Sequence, residues 1–348
     1  MDKSIYIEPL IELCEFMETV PNTLMGVKFK IICLVTLNMQ YEKIAFNKNI
    51  ETHPYILVAE LINRQIENIK AFKDILFIED DADDKINYKE LVLEEKHHDL
   101  WNSIWNKYSD TEYEVFIERC KTRFTVNGIE DLIAGKKVLD VGCGNGATCF
   151  ALLNLGASSV YGIDFGEDSI IHANQKKAKI PGAGKADFRI GNAYQLPFGD
   201  AEFDFVVSKG VFHHLNDEEK ALKEVFRVLK PGGHFYYYVD GEGGISYDLW
   251  DYSVKMLRDV PEKMVYNFLT ELNVKINKKI HLTDALKATY KHTSWAKLTA
   301  QLSGTGFDRF RRLLGGCDFD FDPSIIEKDP FGCAKFGEGD LRVLAQKP

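Results

Sequence analysis

Apolar residues recur every three or four positions through the first third of the chain, and the clearest case runs from Pro54 to Leu76. Val58, Leu61, Ile62, Ile66, Ile69 and Phe72 share one helical face, while Glu60, Arg64, Glu67 and Lys70 take the other. Thr52 and Pro54 supply start signals. The pattern predicts residues 1–130 as mainly helical. An acidic stretch, Glu79–Asp84, interrupts it, and Leu91, Trp101, Trp105, Tyr108, Phe116 and Cys120 mark a second helical region. From Lys136 the period changes. Short β-rich runs at Val138–Val141, Val160–Ile163, Phe203–Val207 and Phe235–Val239 alternate with helical stretches at Ala147–Leu155 and Glu218–Leu229. That alternation predicts an α/β fold, a mostly parallel sheet with helices on both faces. Residues 241–290 return to helical periodicity through Leu249, Val254, Leu257, Met264, Phe268 and Leu272. A helix near Trp295–Leu302, a run at Phe307–Leu313 and a last strand at Leu341–Ala345 complete the sheet pattern. The expected domains are a helical region over 1–130, a core over 131–240 and 291–348, and a helical insertion over 241–290.

Composition narrows the partners. The 348 residues carry a formal net charge of −10, which argues against a nucleic-acid backbone or an anionic membrane surface as partner. Seven cysteines (14, 33, 120, 143, 149, 317 and 333) are scattered without a C-x-x-C pair, so free thiols in a reducing cytoplasm are expected. Asp2, Glu8, Glu12 and Glu15 break up any signal-peptide core, and the run Ile31–Leu37 is far short of a membrane span. The sequence reads as a cytoplasmic protein.

The chemistry concentrates in Val138-Leu139-Asp140-Val141-Gly142-Cys143-Gly144-Asn145-Gly146. A buried strand enters a glycine-rich turn and then a helix N-terminus, where the backbone can approach a ligand closely and free N–H groups favour an anion. Asp164 ends the next strand, where a carboxylate can accept both hydroxyls of a ribose. Gly142, Gly144 and Ala147 also satisfy the dinucleotide pattern G-x-G-x-x-G/A, so the loop alone leaves the ligand open. Asp140 stands where a dinucleotide fold usually has an apolar residue.

Taken with the segments downstream, the sequence resembles the class I S-adenosylmethionine-dependent methyltransferases over roughly residues 130–240 and 295–346. Val138–Gly146 is similar to that family's first motif and Asp164 to its ribose acid. Gly191-Asn192-Ala193 resembles the segment beside the adenine, followed by Leu196-Pro197-Phe198. Phe203-Asp204-Phe205-Val206-Val207 resembles the fourth strand, Val211-Phe212-His213-His214-Leu215 the turn after it, and Leu229-Lys230-Pro231-Gly232-Gly233 the entry to the fifth. The resemblance implies a Rossmann-like, seven-stranded, mostly parallel sheet and S-adenosylmethionine as cofactor, with S-adenosylhomocysteine as product. It also implies cofactor contacts from Asp140, Gly142, Cys143, Gly144, Asp164, Phe165, Asn192, Ala193 and the backbone near Ser208 and Lys209.

On the acceptor side, His213 and His214 follow the fourth strand at the sheet's carboxyl edge and are the candidate general bases; packing on the next helix is the alternative. Tyr236, Tyr238 and Asp240 alternate on one face of the fifth strand and are candidates for orienting an acceptor, with core tyrosines as the competing reading. Ser208-Lys209 and Asp240-Gly241-Glu242 stand where metal-dependent members carry an acidic cluster, so no metal is expected. Trp250, Tyr252, Tyr266 and Phe268 line a pocket or form the insertion's own core. Lys275, Lys278 and Lys279 meet an acidic substrate or solvent, and Arg119 and Arg123 are of the type that holds a carboxylate. Residues Glu79–Glu90 resemble a calcium-binding EF-hand loop, but Glu79 replaces the opening Asp and Asp84 the turn Gly, which favours an acidic linker. The expected activity is methyl transfer to oxygen or nitrogen of a small molecule. A protein methyltransferase and a non-catalytic cofactor-binding partner of another enzyme are the alternatives.

Overall fold

The computed structural model describes residues 1–21, 23–76, 109–287, 290–317 and 320–348. The acidic segment 79–90 and Leu91, Trp101, Trp105 and Tyr108 lie outside the described residues. In chain order the elements are α1 (Ser4–Glu18), α2 (Leu24–Ala45), α3 (Pro54–Leu76), α4 (Asp110–Thr125), β1 (Lys137–Val141), α5 (Ala147–Asn154), β2 (Ser159–Asp164), α6 (Glu167–Lys177), β3 (Ala186–Ile190), β4 (Phe203–Lys209), α7 (Glu218–Val228), β5 (Leu229–Asp240), α8 (Gly244–Met256), α9 (Glu262–Glu271), α10 (Ile276–Lys287), α11 (Trp295–Thr305), β6 (Asp308–Arg312), α12 (Pro323–Ile326), α13 (Gly332–Phe336) and β7 (Asp340–Gln346).

The chain divides into two units. One comprises residues 1–91, 243–289 and 326–337, and the other residues 92–242, 290–325 and 338–348. This differs from the division expected from sequence in two ways. Helix α4 belongs to the α/β unit, and the N-terminal helices share one helical unit with the 241–290 segment and α13.

In the α/β unit the sheet order is β3-β2-β1-β4-β5-β7-β6. Strands β1 to β5 are parallel, while β7 runs antiparallel to both β5 and β6. Alternation along each strand builds a core on either face. Val138, Phe205, Val207 and Tyr236 join α4 and α5 residues such as Phe124 and Phe150. Leu139, Val141, Val206, Phe235 and Tyr237 join α7 and α11 residues such as Leu222, Val225 and Leu298. Each fully buried side chain of this size contributes about 1.5–3 kcal/mol. Helix α7 starts where the Asp217 carboxylate accepts the Lys220 N–H at 3.0 Å, and its inner face is Ala221, Leu222, Val225 and Val228. Strand β3 has no matching run among the sequence expectations, because Asp187 and Arg189 leave it with only two buried positions, Ala186 and Phe188.

The helical unit has its own core. Val27, Ile31, Leu34 and Val35 of α2 pack with Leu257, Val260, Val265, Leu269, Leu282 and Leu286, and Phe268 lies against them. The Lys335 ammonium is fully buried and donates to Asp329 at 2.7 Å and to the Asn47 carbonyl at 2.9 Å. Helix α3 begins at Pro54 as its pattern predicts, with His53 Nδ1 accepting the Tyr55 N–H in place of a Thr52 cap. Lys278 pairs with Glu42, and Lys279 donates to Thr270 Oγ1 while lying over the Tyr266 ring, so both lysines are held within the unit. Among the described residues, no helix is long and apolar enough to cross a membrane.

Candidate functional site

Sheet order reverses between β1 and β4, and in open α/β sheets a ligand sits in the crevice at the carboxyl end of such a switch. The candidate residues collect there because each lies at or just beyond the carboxyl end of one of five adjacent parallel strands: Gly142 after β1, Asp164 at the end of β2, Asn192 two residues past β3, Ser208 next to last in β4 and Asp240 at the end of β5.

The glycine loop is held from below. The Gly142 and Cys143 N–H groups both donate to the Ile163 carbonyl, at 2.7 and 3.0 Å. Gly142 has φ +80°, and a Cβ there would lie 2.3 Å from Val211 Cγ2, so only glycine lets the chain pass. Asp164 organises the loop, its Oδ2 accepting the Gly144 N–H at 2.7 Å and its Oδ1 the Gly166 N–H at 2.9 Å. Tyr113 of α4, absent from the sequence candidates, donates its hydroxyl to the Asn145 carbonyl at 2.5 Å. Beside the loop, Phe165 and Ile190 are 61% and 56% exposed, leaving two large apolar side chains bare at the ends of β2 and β3. The Asn192 side-chain oxygen accepts the Tyr194 N–H at 2.8 Å, and Ala193 is partly buried against the core.

Asp140 is the anomaly of the first strand. It lies on the face that Val138 occupies and is only 2% exposed, and the Cys149 thiol donates to its Oδ2 at 3.4 Å. Burial pushes its carboxyl up to about 6, against the opposing influence of the Lys209 ammonium. The Ser208 hydroxyl donates to the Val141 carbonyl at 3.1 Å, which leaves the backbone of β4 rather than this side chain to face a ligand.

On the other side of the switch, His213 and His214 are both buried with ring centres 4.2 Å apart. Tyr290 meets them at 5.0 and 4.8 Å and stacks on His292 at 6.1 Å. The Asp240 N–H donates to His213 Nδ1 at 3.1 Å. That hydrogen bond engages the Nδ1 of His213, one of the two candidate bases, with the main chain of β5. Tyr238 donates to Asp240 Oδ1 at 3.0 Å, and burial raises the Asp240 carboxyl above its ordinary value. Tyr236 departs from the expectation of an acceptor contact. It is fully buried against Phe124, ring centres 5.0 Å apart, and is a core residue. Arg123 is also engaged, donating to Asp320 at 2.9 Å, and Asp320 in turn accepts from the buried Arg342 at 2.9 Å. Tyr290 and His292 were missed in the sequence; their signal is the triplet Tyr290-Lys291-His292 where the chain re-enters the α/β unit.

The strand order, the glycine loop and the strand-end acid together define a class I methyltransferase core. Residues 139–237 match the family described as a methyltransferase domain, and the α/β unit that contains them has the fold of, and resembles, the class I S-adenosylmethionine-dependent methyltransferases, whose cofactor is S-adenosylmethionine. The chain is 32% identical over 142 residues to the 27-O-demethylrifamycin SV methyltransferase of Amycolatopsis mediterranei, covering 39% of this chain and 52% of that protein. It is 36% identical over 143 residues to the demethylmenaquinone methyltransferase of Bacillus cytotoxicus, covering 40% of this chain and 60% of that protein. The chain thus spans half to three-fifths of the length of these curated relatives. A solved S-adenosylmethionine-dependent methyltransferase from Methanosarcina mazei is 24% identical, with a TM-score of 0.39, covering 61% of this chain and 92% of that one.

The residues present fit the cofactor. Gly142 lets the loop turn closely against Val211, the Asp164 carboxylate is fixed at the end of β2 by the Gly144 and Gly166 N–H groups, and Phe165 and Ile190 are exposed apolar side chains beside it, of the kind a flat base would lie against.

Proposed function

We propose that this chain transfers a methyl group from S-adenosylmethionine to an oxygen or nitrogen of a small molecule by direct displacement, without a metal ion. The observation that carries the reading is the Asp164 carboxylate, fixed by two backbone N–H groups beside a glycine cradle at the sheet's switch point. When bound, S-adenosylmethionine supplies a methyl group already activated on a sulfonium.

The chain's own work is then to bind and align. Asp164 accepts the ribose hydroxyls, Phe165 and Ile190 flank the adenine, and Asn192 with the Ala193 backbone meets its polar edge. Gly142, Cys143 and Gly144 let the backbone run beneath the methionine portion, whose ammonium faces Asp140 and the backbone at Ser208. Alignment of two reactants can be worth an effective molarity of ~10⁵–10⁸ M. His214 is the candidate base for an acceptor that must lose a proton, and Tyr238 with Asp240 orients that acceptor. Lys209, a cation at the end of β4, supports the metal-independent reading, and the small-molecule acceptors in the relatives' names support the substrate class. One segment of the helical unit, residues 243–289, follows the fifth strand in the chain, and we assign acceptor selection to that segment from its place in the sequence.

Calorimetric titration of the full chain with S-adenosylmethionine tests the reading. The native chain should bind, and Asp164→Ala should bind at least about 10²-fold more weakly, the loss of two charge-assisted hydrogen bonds at roughly 1.5–3 kcal/mol each. Because Asp164 also holds the loop, Asp164→Asn is measured alongside with a thermal melt to confirm folding. No binding by the native chain, or unchanged binding by a folded variant, overturns the assignment.

A further inference from the structure

Lys209 and Cys120 make a contact that the proposed reaction does not use. Lys209 ends β4, and its Nζ donates to Cys120 Sγ of α4 across 3.1 Å. The same sulfur accepts from Thr148 Oγ1 at a longer 3.7 Å, so it receives two donors although it is only 1% exposed. Among the described residues, Lys209 makes no ion pair with a carboxylate; its other neighbour is the Phe116 ring, 5.5 Å from Nζ. Among the described residues, the thiol is thus the hydrogen-bond acceptor of this ammonium. An amine and a thiol held in this way are an oxidisable pair, because an oxidised sulfur is captured by the closest nucleophile.

We propose that Cys120 and Lys209 are a covalent modification site, joined by hydrogen peroxide through a single oxygen as an S–O–N bridge. In the first step the Cys120 thiol and one peroxide give a sulfenic acid and one water: the O–O bond breaks, an S–O bond forms, and sulfur loses two electrons. In the second step the sulfenic acid, the Lys209 amine and a second peroxide give S–O–NH and two waters. Here an N–O bond forms, the amine nitrogen loses two electrons and the second O–O bond breaks. A bent S–O–N link spans slightly less than the present 3.1 Å, so closure takes a shift of a few tenths of an ångström.

The bridge reaches the cofactor cradle through charge. Lys209 is the cation that favours the Asp140 carboxylate, and a bridged nitrogen is no longer an ammonium. Asp140 then holds its proton more firmly and offers less to the cofactor's ammonium group; this consequence rests on the cofactor reading above.

Peptide mass mapping of the full chain after peroxide treatment tests the bridge independently of any cofactor. The expected product is a pair of peptides joined at 120 and 209, heavier by about 14 Da than their sum (one oxygen gained, two hydrogens lost) and released by dithiothreitol. Cys120→Ser and Lys209→Arg should each abolish it. Cys120 found unreacted, carrying only added oxygen, in a disulfide, or joined to Lys209 without the oxygen, overturns the proposal, and mapping on the native chain needs no variant to fold. Titration with S-adenosylhomocysteine before and after peroxide should show affinity reduced about tenfold and restored by dithiothreitol, the equivalent of one charge-assisted contact. Unchanged affinity in bridged protein overturns the coupling to Asp140.

Discussion

Asp140→Asn should make the free chain more stable at pH 8 while weakening its hold on the cofactor. Asp140 occupies a sheet position on the face where Val138 is fully buried, with the Cys149 thiol as a hydrogen-bond partner, and burial moves its carboxyl from 3.8 up to about 6. A group whose folded-state value lies above its unfolded one binds its proton more tightly in the native chain. Its contribution to stability is therefore full below pH 4 and is lost as pH rises through about 6. At pH 8 the ionised carboxylate costs the native state roughly 3 kcal/mol, the free-energy equivalent of that displacement. An asparagine carries no charge and keeps an oxygen for the Cys149 thiol, but its amide needs a new partner, which offsets about 1–2 kcal/mol. The expected gain is about 1–2 kcal/mol at pH 8 and none at pH 5. Urea unfolding of the full native and variant chains at both pH values reads the difference directly. Equal destabilisation at pH 5 and pH 8 would refute the reasoning, because a strained charge cannot act alike on both sides of its own titration. In parallel, native affinity for S-adenosylmethionine should fall as pH drops below about 6, while the variant's weaker affinity stays flat.

Gly142→Ala should cost at least about 2–3 kcal/mol, combining the strain of a positive φ with overpacking against Val211. Adding Val211→Ala should recover the packing part alone, and a single variant as stable as the native chain in urea would show that the turn does not need glycine. In the helical unit, Lys335→Met leaves the Asp329 carboxylate buried without its ammonium and should cost about 3–5 kcal/mol. Denaturant midpoints check this, with partial recovery expected in the Asp329→Asn/Lys335→Met double variant; no recovery would mean that shape rather than charge holds the site.

Local signals carried far in the α/β unit. Strand β1, its glycine turn and Asp164 read directly from the sequence, because a strand buried on both faces is mainly apolar, with Asp140 as its exception, and the Gly142 turn has a positive φ that favours glycine. Helix α7 was legible for the same kind of reason: a capping Asp217 and an apolar stripe are local features. Strand β3 was not, since two buried residues carry too little periodicity to stand out. The site was legible where a residue ends a strand and illegible where distant segments meet. Tyr113 reaches Asn145 from 32 positions away in the chain, and Tyr290 and His292 arrive at His213 only after the whole helical insertion.

The sequence by itself determined the class of core and the strand-end residues, because periodicity and turn chemistry are written locally, and its resemblance to a known family implied the cofactor. Only the tertiary structure decided what each polar side chain is free to do. Both tyrosines of the β5 face alternate alike in sequence, yet Tyr236 is sealed against Phe124 and Tyr238 bonds Asp240. His213 and His214 are neighbours of the same type, yet it is His213 Nδ1 that accepts the Asp240 backbone N–H. Availability depends on which partner arrives first in space, and spacing along the chain does not encode it.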